Sequence, residues 1–131
     1  MAIHKIGGII LSDRKFLAVT KKESDFLITP GGKIEIGETP RQCLERELKE
    51  ELNVKLVFMK PLATFKDKMQ DEKEDLILET YFAEIDGEPT PNSEIEQLFW
   101  INSNFKHPKV KFSKLTKNYI VPKLLEMKLI D

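Results

Sequence analysis

Two spacings of apolar residues divide the chain into predicted strands and helices. Short runs rich in β-branched and aromatic residues predict strands over residues 3–11, 16–20, 26–28, 54–65, 76–85 and 98–101. The first two surround a turn-like stretch at residues 12–15, so we expect them to form a hairpin. The charged stretch at residues 66–75 is predicted to be a solvated connection, and Pro and Gly residues indicate loops at 29–38 and 87–91.

One helix is predicted by several agreeing signals. Thr39 is a suitable N-cap, Pro40 occupies the first helical position, and Gln42 completes a capping box. A leucine at every fourth position gives the helix a buried stripe, formed by Leu44, Leu48 and Leu52. Asn53 follows, and asparagine tolerates the left-handed conformation that ends many helices.

A second helical pattern covers residues 115–130, where Pro122 must lie near a start or cause a kink. No internal repeat or linker interrupts the chain, and 131 residues suffice for one hydrophobic core. We therefore expect a single domain over residues 1–131. Strands on both sides of a central helix, with a helix closing the chain, favour an α/β sandwich with a mixed sheet.

Charge and composition bear on the partners of the protein. The 21 basic and 22 acidic residues give a formal net charge of -1, so no global field attracts nucleic acid or an anionic membrane, and neither is expected. Cys43 is the only cysteine, which excludes an intramolecular disulfide, and it is interpreted as a small semi-buried residue rather than a nucleophile. No apolar run suits a signal peptide or a membrane span, so a cytoplasmic protein is expected.

Acidic side chains are concentrated on the first predicted helix. Glu47, Glu50 and Glu51 stand at relative positions zero, three and four, so their carboxylates converge on one face. Carboxylates packed this closely repel one another unless a cation neutralises them, and oxygen ligands without His or Cys suit Mg²⁺ or Mn²⁺. The alternative is a solvated face that pairs with neighbouring basic residues. Gly31 and Gly32 favour the metal site, because glycines let the backbone come close to a ligand.

This segment resembles the Nudix box of the MutT-like Nudix hydrolases, written G-x5-E-x7-R-E-U-x-E-E-x-G-U with U aliphatic. Its defined positions are occupied in register by Gly32, Glu38, Arg46, Glu47, Leu48, Glu50, Glu51 and Val54. Only the late glycine departs, and Asn53 in its place can adopt the same left-handed conformation. The resemblance implies the Nudix α/β/α sandwich with a mixed sheet. It also implies hydrolysis of a phosphoanhydride bond in a nucleoside diphosphate linked to another moiety.

The resemblance further implies a metal site. Glu47, Glu50 and Glu51 would bind Mg²⁺, for which Mn²⁺ could substitute, and the Gly32 carbonyl would be a further ligand. Arg46 would hold the acids in place by a charge-assisted hydrogen bond.

The general base and the substrate contacts are less closely defined by the resemblance. The base would come from the box, where Glu50 is the stronger candidate, or from a later loop, where Glu96 is preferred and Glu94 is next. Both loop acids could equally be ordinary surface residues. Substrate contacts are expected on the approach to the helix, from Gly31, Gly32, Lys33 and Glu38.

Substrate identity is limited by two markers that the chain lacks. Lys68 stands where ADP-ribose hydrolases of the family tend to show a proline, and residues 69–72 lack the tyrosine of dinucleoside polyphosphate hydrolases. A nucleoside triphosphate, including an oxidised one, is therefore the first expectation. The alternative is a non-catalytic nucleotide-binding or regulatory domain, and a homodimer is possible in either case.

Two further sets of residues could contact a nucleotide. Basic residues that could meet phosphates are Lys5, Arg14, Lys21, Lys22 and Lys33. Aromatic residues that could stack on a base, but are more often core, are Phe26, Phe82, Phe99, Trp100 and Phe105.

Overall fold

The computed structural model describes residues 2–68 and 73–131. Its strands are β1 (Ala2–Ile9), β2 (Leu11–Ser12), β3 (Lys15–Lys21), β4 (Phe26–Leu27), β5 (Gly31–Lys33), β6 (Lys55–Lys68), β7 (Asp75–Asp86), β8 (Ile95–Ile101) and β9 (Lys111–Phe112). Its helices are α1 (Pro40–Leu52) and α2 (Val121–Glu126), and a π-helical turn, Thr116–Ile120, leads directly into α2.

A mixed sheet of four strands has the order β5-β1-β7-β6. Within it β1 runs parallel to β7 and antiparallel to β5, and β6 runs antiparallel to β7. A second sheet has the order β2-β3-β8, and β4 pairs with β9 as a short parallel ribbon. A bridge between Val19 and Ile28 joins β3 to the segment that follows β4.

Two hydrophobic cores separate the layers. Leu44 and Leu48 of α1 pack in the first core with Ile6 of β1. The second core contains Ile120 and Leu124 from the C-terminal helical segment, together with residues of β1, β3, β7 and β8. Strands between two helical layers form the α/β/α sandwich with a mixed sheet that the sequence predicted, and this prediction is confirmed.

The predicted hairpin between residues 3–11 and 16–20 is wrong over most of its length. β1 lies between β5 and β7, and only Leu11 and Ser12 pair with β3. Both faces of the last half of β1 are buried, which a central strand allows and a peripheral hairpin does not. The chain passes to the second sheet at Ile10, whose carbonyl accepts a hydrogen bond of 2.9 Å from the Leu17 N–H.

The charged stretch at residues 66–75, predicted as a solvated connection, is strand at both of its ends. β6 continues to Lys68 and β7 begins at Asp75, and these two residues form an ion pair of 2.7 Å. Cross-strand pairs of opposite charge stabilise an exposed antiparallel ladder, so charge does not exclude a strand here. Residues 69–72 lie outside the described residues.

The first helix has the predicted ends. The Thr39 hydroxyl accepts from the Gln42 N–H, the Gln42 side chain accepts from the Thr39 N–H, and Asn53 is left-handed with φ 55°. The second helix is shorter than predicted, since α2 ends at Glu126. Pro122 is the second residue of α2 and so lies near a start, one of the two predicted alternatives. The π-helical turn precedes it, and the Val121 N–H donates to the carbonyl of Thr116.

Candidate active site

Strand β5 and helix α1 together position two buried acids. Glu47 and Glu51 lie one helical turn apart on the face of α1 that packs near β5, and they are only 8% and 1% exposed. The Gly31 N–H donates a hydrogen bond of 2.8 Å to Oε1 of Glu51. Gly31 has φ 137°, and a Cβ there would overlap the carbonyl oxygen of Ile6, so only glycine fits this bend.

Gly32 makes room for the second acid. A Cβ on Gly32 would overlap the carboxyl group of Glu47, so this position also depends on the absence of a side chain. The Gly32 carbonyl, predicted as a metal ligand, accepts a weak hydrogen bond from Sγ of Cys43 at 3.6 Å. Burial raises the pKa of the Cys43 thiol to about 12, which keeps it protonated and agrees with its interpretation as an unreactive residue.

A third acid comes from the loop before β8. Carboxylate oxygens of Glu47, Glu51 and Glu94 all lie within 4.8 Å of one another. The loop is fixed to the end of α1 because the Asn92 N–H and side-chain amide donate to the carbonyls of Glu51 and Glu50, both at 3.0 Å. This docking brings Glu94 to the two acids of α1.

Two other predicted acids lie outside this group of three. The Glu50 side chain is 51% exposed, with Oε2 3.9 Å from Nη1 of Arg46. Glu50 stands about 100° around the helix from Glu51, which turns it away from the buried face. Glu96, preferred over Glu94 in the sequence, is exposed on β8. Because β8 begins at Ile95 rather than at residue 98, Glu96 is a strand residue and Glu94 the last acid of the loop.

Arg46 connects the loop to the acids. Its guanidinium donates to both carboxylate oxygens of Glu38, at 2.7 and 2.9 Å, and to Oε1 of Glu47 at 2.7 Å. It also donates to the carbonyl of Lys33 at 3.2 Å, while the Lys33 residue as a whole is exposed. The hydrogen bonds from Arg46 lower the pKa of Glu38 to about 2 and raise that of Arg46. Glu38, predicted among the substrate contacts, is thus engaged by Arg46 and by the Glu35 N–H.

The charge balance of the group favours a cation. Burial raises the pKa of Glu51 to about 8, against the hydrogen bond from Gly31 that lowers it, and the nearby Glu47 raises it further. Burial also raises the pKa of Glu47, although Arg46 opposes this shift. Hydrogen bonding from the Ser93 hydroxyl lowers the pKa of Glu94. Two buried carboxyls that resist ionisation side by side are stabilised as anions by a bound cation.

A cleft opens beside the acids. Its apolar wall comes from strands of both sheets and from the start of the C-terminal helical segment, with Ile28, Leu76, Leu78 and Leu115 among its residues. Gly31 and Gly32 line the end that adjoins Glu47 and Glu51. Four lysines also line it, namely Lys5, Lys21, Lys68 and Lys114. Such a cleft combines apolar surface for an organic group with positive charge for phosphates.

Only some of the basic residues predicted to contact a nucleotide line the cleft, and none of the aromatic ones does. Lys5 and Lys21 line the cleft, whereas Arg14 pairs with Asp131 at 2.6 Å. Lys22 and Lys33 are exposed and do not line it. None of the aromatic candidates lines the cleft either; Phe82, Phe99 and Phe105 pack against the second core, and Trp100 is partly exposed on β8.

A family model described as the NUDIX domain matches residues 4–111. The chain belongs to the NUDIX family. The predicted membership is therefore confirmed, and residues 32–54, which resemble the Nudix box, lie within the matched range. Over 52 residues, 36% of this chain, the sequence is 42% identical to the 8-oxo-dGTP diphosphatase of Escherichia coli strain K12. That match spans 40% of the relative's length.

Solved structures share this fold over most or nearly all of the chain. The MutT NUDIX hydrolase from Burkholderia pseudomallei matches with a TM-score of 0.76 and 21% identity, over 96% of this chain and 97% of that one. The Escherichia coli ORF135 protein matches with a TM-score of 0.64 and 27% identity, over 76% and 72%. No helix among the described residues is long and apolar enough to cross a membrane.

The wall of the Nudix cleft at residues 113–116 was not recognised in the sequence. The Ser113 hydroxyl accepts a hydrogen bond of 3.4 Å from the Thr116 N–H, and the Thr116 hydroxyl donates to the carbonyl of Leu27 at 2.9 Å. A serine three residues before Thr116 is a helix-capping signal that could have placed this helix start. Nothing in the sequence alone indicates that it lines the same cleft as Gly31 and Gly32 of β5.

Proposed function

We propose that this Nudix domain is a Mg²⁺-dependent hydrolase that cleaves a phosphoanhydride bond of a nucleoside triphosphate, including an oxidised one. The observation that carries the proposal is the group of Glu47, Glu51 and Glu94 at the end of a lysine-lined cleft. The local similarity to an 8-oxo-dGTP diphosphatase supports the same substrate class.

The donor atoms fit a small hard cation. Only carboxylate oxygens form the group, without His or Cys, and oxygen ligands of this kind suit Mg²⁺ or Mn²⁺. Glu47, Glu51 and Glu94 would hold the ion, whereas the exposed Glu50 lies outside this group. When bound, the ion supplies charge neutralisation for the phosphates and an oriented water.

Residues of the chain would bind the phosphates and accept the proton of the attacking water. Hydrolysis adds water across the P–O–P bond between the α- and β-phosphates, so a nucleoside triphosphate yields a nucleoside monophosphate and pyrophosphate. Lys5 and Lys21, on the cleft wall nearest the acids, bind the phosphates. Glu94 would serve both as a ligand of the ion and as the group that accepts the proton of the attacking water. It is ionised at neutral pH, because hydrogen bonding from Ser93 lowers its pKa.

Other residues of the box fix this geometry. Arg46 orients Glu47 while its other hydrogen bonds hold Glu38, so both are positioning residues. Gly31 and Gly32 keep side chains out of the space between the cleft and the acids. The apolar wall of the cleft receives the nucleoside.

The test is hydrolysis of a panel of compounds with Mg²⁺ present. Pyrophosphate release is measured for nucleoside triphosphates and 8-oxo-dGTP, and release of a nucleotide product is measured for ADP-ribose and dinucleoside polyphosphates. We expect turnover of at least one triphosphate by the wild type and its loss in Glu51→Gln. The matched control is Glu45→Gln, an exposed acid on the same helix that pairs with Arg41. Tight binding of a triphosphate without hydrolysis would contradict the proposal and support a non-catalytic nucleotide-binding domain.

A further inference from the structure

The chain has a net charge close to zero but contains a strongly basic segment. Residues 97–125 contain six lysines and no Asp or Glu, so the rest of the chain holds the other 15 basic and all 22 acidic residues. The expectation that nucleic acid is not a partner depended on the overall charge. A local cluster of positive charge has the opposite implication.

The structure gathers part of this segment around a shallow groove. Phe105, Lys106, His107, Lys111, Phe112 and Lys117 line it. Lys106 and Lys117 are exposed and form no ion pair with a carboxylate among the described residues. Lys111 lies over the Phe26 ring at 5.2 Å from its centroid. The groove therefore presents cationic groups whose charge is not neutralised by neighbouring acids.

Aromatic rings held by packing and hydrogen bonds line one side of the same groove. The exposed His107 ring lies parallel to the Phe105 ring, with an interplanar angle of 8° and centroids 6.4 Å apart. Nδ1 of His107 accepts hydrogen bonds from the N–H groups of Lys109 and Val110, at 3.0 and 3.2 Å. Phe105 also packs against Phe112. These contacts hold the His107 ring in a fixed orientation before any ligand arrives.

We propose that this groove binds single-stranded nucleic acid. Proteins that bind single strands combine lysines along the phosphate backbone with aromatic rings on which bases stack, and both elements are present here. The groove and the active-site cleft share the segment at residues 111–117, which contributes to both. A bound strand would therefore lie next to the cleft.

Two other polyanionic partners fit the surface less well. Membrane-binding surfaces pair basic residues with exposed apolar side chains. Within residues 105–117 no large apolar side chain is among those strongly exposed in the described chain. An acidic peptide would need only charge and would leave the ordered ring of His107 without a role.

The experiment measures fluorescence anisotropy of single-stranded oligonucleotides of about 12 nucleotides, a length within known site sizes. The oligonucleotides carry a 5′ hydroxyl and no phosphoanhydride bond, so the result is independent of the proposed hydrolysis. The test variant is K106E/K117E, and K55E/K60E is the matched control with the same charge change on β6. Inorganic polyphosphate and phosphatidylserine vesicles serve as competitors.

We expect K106E/K117E to weaken binding by about tenfold or more, and log affinity to fall with log salt at a slope of about -2 for three phosphate contacts. Phe105→Leu should weaken oligonucleotide binding without changing polyphosphate binding. Binding that is equally weakened in K55E/K60E, or absent at low salt, would overturn the proposal. Displacement of the strand by polyphosphate or vesicles at equal phosphate concentration would overturn the assignment to nucleic acid.

Discussion

The Gly31 N–H donates a 2.8 Å hydrogen bond to Oε1 of Glu51, which is 1% exposed. One neutral donor offsets only part of the cost of burying a carboxylate. The site is therefore least stable when Glu51 is charged and no cation is bound.

Stability of the metal-free protein should therefore depend on pH. Below the ordinary pKa of 4.5 Glu51 is protonated in both the folded and unfolded states. Between 4.5 and about 8 the folded state binds more protons, so the free energy of unfolding falls as pH rises through this window. We expect a loss on the order of 1 to 4 kcal/mol, measured by urea unfolding in EDTA.

Glu51→Gln removes this titration and should flatten the pH dependence, and Mg²⁺ should restore wild-type stability near pH 8. Glu45→Gln is the control, because that acid is exposed and pairs only with Arg41. A wild-type profile that rises with pH through the same window would show that Glu51 is not held in its neutral form.

Gly32→Ala should separate activity from stability. The added Cβ displaces the carboxyl of Glu47, the far end of a flexible side chain, so the fold survives while the acid moves. Displacement of a reacting-site group by about 1 Å costs roughly 100-fold in kcat. Gly87→Ala provides the contrast. Gly87 has φ 108°, and an added Cβ would meet atoms of Val54 and Asn53 rather than an acid, so the variant should lower the free energy of unfolding by about 1 kcal/mol and leave kcat unchanged. Equal kcat losses in the two variants would contradict this account.

Arg46→Lys should weaken both catalysis and metal binding although the charge is kept. A lysine cannot make the two parallel bonds to Glu38 while also contacting Glu47. We expect kcat/KM to fall by about 10- to 100-fold and the Mg²⁺ concentration for half-maximal activity to rise. Arg41→Lys on the exposed face is the control. If only thermal stability changed, Arg46 would be a structural residue without influence on the acids.

Glu94 and Glu96 can be distinguished directly. Glu94→Gln should lower kcat by about 10²- to 10⁴-fold, the usual contribution of a general base. Glu96→Gln should leave kcat at the wild-type level, because its side chain lies outside the group of three acids. The reverse result would assign the base to Glu96, which the sequence analysis preferred to Glu94 on the predicted loop.

Local signals predicted the Nudix box region correctly. The Thr39 cap, the leucine stripe and Asn53 act within a few residues of one another, and the helix they predicted is present. Burial of Glu47 and Glu51 follows from their position beside that stripe. The predicted hydrogen bond from Arg46 to an acid is also present.

Features that depend on distant contacts could not be predicted in this way. The placement of Glu94 depends on Asn92 bonding to the end of α1, some forty positions earlier in the chain. The strands that pair with β1, and the residues that line the cleft, depend on which strands become neighbours in the sheets. Short apolar runs predict strands but not the order in which they pair. The basic groove was missed because only the net charge of the whole chain was considered. The positive charge of residues 97–125, which contain no Asp or Glu, is cancelled by the acidic residues elsewhere in the chain.

The central claim is that Glu47, Glu51 and Glu94 form a divalent-cation site on which hydrolysis depends. The most direct test is the rate of pyrophosphate release from 8-oxo-dGTP and dGTP as a function of Mg²⁺ concentration, for wild type, Glu51→Gln and Glu45→Gln. We expect saturable Mg²⁺ activation that is abolished in Glu51→Gln and unchanged in Glu45→Gln. Turnover by the wild type that persists in EDTA, or equal Mg²⁺ activation in Glu51→Gln, would contradict the account.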